Sequence, residues 1–204
     1  AMMLSIVGMG SIILQSGING LGETTLAAHT AARKVLEVSM MPLAIFGAAA
    51  ATFAGQNFGA GKMERVIRGT KASIVLSLSW SAVVCLIVWP FAPHFVRLIA
   101  NDSSPVILEL GSMYLRIGVP MYFPLCLLLM LRNILQGIGH RIAPIIASTI
   151  ELLGKLFAIK LLVPMLGYLG VCLTEPIIWT VDGILILVYY LAARKKILTT
   201  KMIR

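Results

Sequence analysis

The sequence predicts an all-α integral membrane protein, a bundle of six transmembrane helices, and three observations carry that prediction. Hydrophobic residues make up 59% of the chain against 12% charged, with a mean hydropathy of +0.95, too apolar to surround a soluble core with polar surface. The apolar residues fall into six long runs with short polar breaks between them, each run of the order of the roughly 20 residues that a helix needs to cross the hydrocarbon core. None of the runs sustains a period-two alternation, which argues against a transmembrane barrel.

The runs can be taken in order. The first, about residues 2–18, stops at Asn19, Gly20 and Gly22, all turn formers. The second, about residues 26–53, is longer than a bilayer requires and is expected to tilt or project. The third covers about residues 73–93 and the fourth about 119–135, where Pro120 and Pro124 should bend the helix. The fifth and sixth cover about 142–165 and 169–192. Residues 1–193 thus form one six-helix unit and residues 194–204 a basic tail.

Charge placement gives an orientation. Lys62, Arg65, Arg68 and Lys71 follow the second run, Arg141 follows the fourth, and Arg194, Lys195, Lys196, Lys201 and Arg204 lie in the tail. The opposite connections hold Arg97 beside Glu23, Asp102 and Glu109. The positive-inside rule puts the basic side in the cytoplasm of a cell membrane, and an even number of spans then puts the start of the chain there too. Residues 1–20 contain no Lys or Arg, and the chain opens with Ala inside an apolar run. This pattern lacks the basic region of a secretory signal and reads as a boundary cut within a longer protein. The net charge of +9 belongs at span ends facing anionic headgroups, so membrane lipids and not nucleic acid are the expected polyanionic partner.

Motifs for soluble catalysis fail. Residues 55–62 read GQNFGAGK, but a phosphate-binding loop would need Gly at Gln56 and Ser or Thr at Met63. Cys85, Cys126 and Cys172 lie in apolar runs without paired spacing, and His29, His94 and His140 have no ligand partner at helical spacing. No Gly-x-Ser-x-Gly is present. The chain is not expected to be an enzyme, and no cofactor is implied. Asn101, Asp102 and Ser103 form a glycosylation acceptor pattern on the outward side.

The strongest local pattern is TFAGQNFGAGKMERVIR over residues 52–68. It is read as a helix ending in a loop of Gly55, Gln56, Asn57, Gly59 and Gly61, followed by an amphipathic basic segment. Further patterns fall in order: Tyr114 to Ile117; Leu131, Arg132, Asn133, Leu135, Gln136, Gly137 and Gly139; Pro144; and Gly167, Gly170 and Val171. Together they resemble the multidrug and toxic compound extrusion (MATE) family, in which a Gly-Gln-Asn-aromatic-Gly-Ala-Gly pattern follows the second helix of each six-helix lobe. That resemblance implies one lobe of a twelve-helix transporter, the C-terminal one by the Leu131 to Gly139 pattern followed by Glu151. It also implies export of organic, often cationic, compounds by a cation-coupled antiport. The partners it implies are a small-molecule substrate and a missing N-terminal lobe or a second copy.

Ionisable residues inside apolar runs each cost about 2.5–3.5 kcal/mol on insertion scales at mid-bilayer and so mark candidate coupling or cavity positions. Glu37 lies four residues after Arg33, and Glu151 four before Lys155, spacings that favour ion pairs on one helix face. Asp182 has no basic residue three or four positions away and is the least explained charge. Arg116 and Arg132 are expected to snorkel from span ends. Gln15 and Asn19, with Ser16 between them, share a face of the first run and either line a cavity or bond a neighbouring helix. The eleven methionines suit adaptable apolar packing. Some family branches carry a cation-binding acid in the first helix of the C-terminal lobe, and residues 1–22 hold none. The coupling cation, sodium or proton, therefore stays open. Two other readings are a lipid or polysaccharide flippase, with Arg33, Lys34, Lys155 and Lys160 forming a basic cavity, and a half-length non-transporting subunit.

Overall fold

A computed structural model describes residues 2–101, 104–140 and 142–201, with side chains described for 8–9, 12, 14–101, 104–140, 142 and 144–192. Among these residues the secondary structure is helical throughout, without a strand. Helix α1 is Met2–Asn19, α2 Glu23–Gly59, α3 Met63–Val88, α4 Ala92–Ala100, α5 Pro105–Gly118, α6 Tyr122–Gly137, α7 Ile142–Phe157, α8 Val163–Leu166 and α9 Tyr168–Lys201. A 3-10 turn at Val119–Met121 joins α5 to α6, and a π turn at Ala158–Leu162 joins α7 to α8. Four of these stretches are long and apolar enough to cross a membrane: Glu23–Gly59, Met63–Val88, Pro105–Gly137 and Tyr168–Ala192.

The fourth apolar run differs most from the expectation. The sequence placed its start near Val119, but the rod begins at Pro105, because Glu109 and Arg116 interrupt the hydropathy without interrupting the helix. Pro120 lacks the N–H that would continue the α-helical ladder, and the chain tightens to 3-10 geometry there. Helix α2 is 37 residues long, about 56 Å at about 1.5 Å per residue, and so outruns the hydrocarbon core at one end or both. Pro42 lies inside it. Near that break Trp80 Nε1 donates to the Ser39 carbonyl at 2.9 Å, stitching α3 to α2.

Two boundaries need correction. Gly55, Gln56, Asn57 and Gly59 were expected in a loop, but they form the last turns of α2, and only Ala60–Lys62 turns the chain, with Gly61 at φ 73°. The helix persists because Asn57 and its neighbours keep the ladder intact: Ala60 N–H still reaches Gln56 O and Lys62 N–H reaches Asn57 O. The basic tail from residue 194 likewise continues α9 as far as Lys201. Residues 202–204, Arg141, and the Asp102 and Ser103 of the glycosylation pattern lie outside the described residues.

Helix α2 packs on α3, α5 and α6, α6 packs on α9, and α7 lies against α1 and α9. Small residues set the closest approach. Gly47, Ala51 and Gly55 recur every four residues along α2, and α6 meets this face with Asn133 and Gly137. A Cβ added to Gly55 would come 2.8 Å from the Gly137 carbonyl oxygen, and one added to Gly137 would overlap the Ala51 carbonyl. This is small-residue helix packing as membranes favour it. Tyr122 fixes the α2 to α6 register from inside, being fully buried and donating its hydroxyl to Leu36 O at 2.7 Å. On the outside, Ile177, Val181, Ile184, Val188 and Leu191 leave an exposed apolar stripe along α9, as a lipid-facing or partner-facing surface requires.

Candidate functional site

Helices α2, α5, α7 and α9 converge on a cavity of ≈ 200 Å³ whose walls carry charge: Arg33 and Glu37 from α2, Tyr114 from α5, Glu151 and Lys155 from α7, and Glu175 from α9. Leu36, Met40 and Trp179 complete the apolar part of the lining. The helical period explains how α2 and α9 deliver their groups. His29, Arg33 and Glu37 stand four residues apart on one face, and Glu175 and Asp182 stand two turns apart on another.

Arg33 is the hub of the first cluster. Its Nε donates to Glu37 Oε1 at 3.0 Å and its Nη1 to Glu175 Oε1 at 3.3 Å. The second Glu175 oxygen accepts from the Tyr114 hydroxyl at 3.0 Å. Glu37 stands more than half exposed, whereas the Glu175 side chain is only 11% exposed. Beneath Arg33, the His29 ring is fully buried, lies edge-on to Tyr114 at 4.7 Å between ring centroids, and has Nδ1 3.4 Å from the Tyr168 hydroxyl. Its Nε2 has no hydrogen-bond partner among the described residues.

A second cluster centres on Glu151. Lys155 Nζ donates to Glu151 Oε1 at 2.8 Å, and Arg132 Nη1 lies 4.0 Å from Glu151 Oε2. Arg132 also donates through Nη2 to Ser148 Oγ, which in turn donates to the Pro144 carbonyl at 3.0 Å. Asp182 is 2% exposed, and its Oδ1 has no hydrogen-bond partner among the described residues. It sits close enough to Glu151 and Arg132 for their charges to act on it. The two clusters together set Arg33, Arg132 and Lys155 against Glu37, Glu151, Glu175 and Asp182. With every group ionised the carboxylates are in excess by one.

The sequence-derived candidates divide accordingly. Glu37 and Glu151 line the cavity and are ion-paired to Arg33 and Lys155 at the expected spacing, and Asp182 is buried within reach of the Glu151 and Arg132 charges. Gln15 and Asn19 do not join this group. Gln15 Nε2 donates to Asn19 Oδ1 at 3.1 Å, and with Ile12 and Ser16 they line a separate open groove on α1. The glycine-rich pattern is elsewhere again: Gly55 backs onto Gly137, Gln56 is exposed, and Asn57 Nδ2 caps the Phe53 carbonyl at 2.8 Å. Arg132 does not snorkel, being 9% exposed, because Ser148 and Glu151 hold it inside the bundle. Glu175 escaped the sequence reading, although an acid at mid-run, seven residues before Asp182, was the available signal.

The model of the MatE family matches residues 1–158, well over half of the chain. The chain belongs to the MatE family. The probable multidrug resistance protein NorM of Thermotoga maritima is 26% identical over 131 residues, a match covering 64% of this chain and 28% of NorM. Solved structures agree in fold. A MATE protein in a bent conformation superposes with a TM-score of 0.88 at 20% identity, over 97% of this chain and 44% of that one. The outward-facing form of a multidrug resistance MATE transporter gives 0.87 at 19% identity, over 97% of this chain and 45% of that one. A transporter of the MOP superfamily from Pyrococcus furiosus gives 0.81 at 19% identity, over 94% and 42% respectively. The chain thus spans less than half the length of these relatives, as a lobe of a larger membrane protein does.

Proposed function

We propose that this MatE chain is the C-terminal lobe of an antiporter that exports organic cations in exchange for protons, with Asp182 as the proton-carrying group. The observation that carries the reading is the Asp182 carboxylate, buried with one oxygen unpartnered among the described residues, within reach of the charges of an Arg132 and a Glu151 that already bind other groups. An ionised carboxylate in an apolar interior needs a counter-charge or a proton. Arg132 can supply the first only while Glu151 keeps its own partner, Lys155. A cation entering the cavity at Glu37 and Glu151 competes with Arg33 and Lys155 for those carboxylates, and the redistribution alters how much of Arg132 is left for Asp182. Substrate and proton are in this way coupled through shared counter-ions, which is the differential interaction that exchange between two states requires. A sodium ion needs several oxygen ligands at once, whereas Arg33 and Lys155 already hold Glu37, Glu175 and Glu151 and leave Asp182 alone, which favours the proton as the coupling ion.

In this reading the remaining wall of the pathway belongs to an N-terminal lobe or a second copy, the basic connections and the end of α9 face the cytoplasm of a cell membrane, and neither nucleic acid nor a cofactor takes part. The chemistry is transport and not catalysis. A flippase for phosphorylated lipids would want unpaired cations in the cavity, but Arg33 and Lys155 are each bonded to a carboxylate, and Lys34 and Lys160 do not line it.

The test is efflux of a fluorescent organic cation from vesicles of cells expressing the full native product, driven in turn by an imposed proton and an imposed sodium gradient. Proton-driven efflux that is lost in Asp182→Asn supports the reading. Efflux driven by sodium alone, or undiminished in Asp182→Asn, would overturn it.

A further inference from the structure

A second polar site lies on α5, on the side away from Tyr114. Glu109, Ser112 and Arg116 follow one another at spacings of three and four and so share a helix face. With Pro93 of α4 and the apolar Met113 and Ile117 they line a groove of ≈ 450 Å³. Ser112 is 4% exposed and its Oγ has no hydrogen-bond partner among the described residues. The Arg116 guanidinium stands 6.0 Å from the ring centroid of Trp89, and neither Glu109 nor Arg116 enters an ion pair among the described residues. Nothing in the transport reading uses these groups.

Their depth can be read from α3. From Lys71 to Trp89 the helix rises about 27 Å at about 1.5 Å per residue, close to the about 30 Å of a hydrocarbon core. A hydrocarbon core laid from Lys71 to Trp89 has Trp89 and Phe91, 48% and 60% exposed, at the end opposite the basic connections, where aromatic side chains favour the headgroup level. Arg116, against Trp89, sits at headgroup level there. Glu109 lies two turns nearer the Pro105 end of α5, towards water, and Ile117 lies on the membrane side of Arg116.

We propose that this groove binds the headgroup of an aminophospholipid, with its phosphate on Arg116 and Ser112 and its primary ammonium on Glu109. The order along α5 matches the order within such a lipid: apolar chain beside Ile117, phosphate beside Arg116 and Ser112, amine beside Glu109. Arg116 and Ser112 supply charge-assisted and neutral donors for phosphate oxygens, and the lipid phosphate gives the buried Ser112 hydroxyl the partner it lacks among the described residues. Glu109 would repel a free phosphate or an anionic headgroup but accepts hydrogen bonds from a primary ammonium, which a quaternary ammonium cannot donate. The lipid, held between α4 and α5, is a constituent of the site and not a transported substrate.

Native mass spectrometry of the full native product, released from nanodiscs of equal phosphatidylethanolamine, phosphatidylcholine and phosphatidylglycerol, tests this directly. Wild type should retain phosphatidylethanolamine about fivefold or more over each of the others, the margin expected of charge-assisted hydrogen bonds. Arg116→Gln should abolish retention, Arg116→Lys should restore part of it, and Glu109→Gln should erase the preference over both phosphatidylcholine and phosphatidylglycerol while lipid retention itself persists. Equal retention of the three lipids by wild type, or a preference unchanged in both Arg116→Gln and Glu109→Gln, would overturn the proposal. Both side chains reach the surface, so neither variant threatens the fold.

Discussion

Arg33 and Glu175, 142 residues apart in the chain, meet at 3.3 Å between Nη1 and Oε1, and this contact ties the second long helix to the last one through the charged cavity. Because Glu175 also accepts from Tyr114, an amide in its place keeps one acceptor oxygen and strands one of the two donors, Arg33 Nη1 or the Tyr114 hydroxyl. Glu175→Gln is expected to lower stability by about 1–3 kcal/mol, the range for stranding buried donors. Glu37→Gln, at a side chain 58% exposed, should change it by less than about 1 kcal/mol. Thermal unfolding of the two variants in detergent, followed by a thiol-reactive dye, checks the contrast. Equal losses would remove Arg33 to Glu175 from its place as the principal tie.

The α2 to α6 seam should be intolerant of one methyl group. Gly137→Ala places a Cβ on the Ala51 carbonyl and Gly55→Ala places one against Gly137. Neither obstacle is a flexible side-chain end, so the helices must separate, at an expected loss of about 1–3 kcal/mol each as for other overpacked sites. Gly59→Ala, with nothing within 4 Å of the added atom, is the control. Size-exclusion profiles of the three variants should show Gly59→Ala monodisperse and Gly137→Ala depleted or aggregated.

Asp182→Asn should separate stability from function. The amide keeps the shape while removing a buried charge whose Oδ1 is unpartnered, so unfolding should occur at or above the wild-type temperature. Efflux should nonetheless fall to background. A variant both less stable and inactive would make Asp182 a structural anchor for Arg132 instead.

Orientation is testable with single cysteines in a background lacking Cys85, Cys126 and Cys172. A membrane-impermeant maleimide added to intact cells should label Asn101→Cys and leave Lys62→Cys unlabelled until the cells are opened. The opposite pattern would invert the assignment.

The all-helical membrane architecture was legible because it rests on run length and hydropathy, and the pairs Arg33 with Glu37 and Glu151 with Lys155 were legible because they obey a four-residue spacing. What could not be read locally were contacts between helices. Glu175 has no charged neighbour within a turn, and its partners Arg33 and Tyr114 lie on other helices. Arg132 looked like a snorkelling residue at a span end until Ser148 and Glu151 of α7 were brought against it. Glycine misled in the opposite direction: Gly55 and Gly59 suggest a loop by composition, whereas Gly55 serves close packing against α6 and only Gly61 needs its positive φ. The start of the Pro105–Gly137 rod was hidden by Glu109 and Arg116, two charges that the helix carries on an outer face without breaking.

The most direct test of the account is to add a lipophilic organic cation to the purified full native product in weakly buffered detergent and follow the pH. The coupling scheme predicts release of about one proton per bound cation, absent in Asp182→Asn and retained in Gly59→Ala. Binding without proton release, or release undiminished in Asp182→Asn, would contradict it.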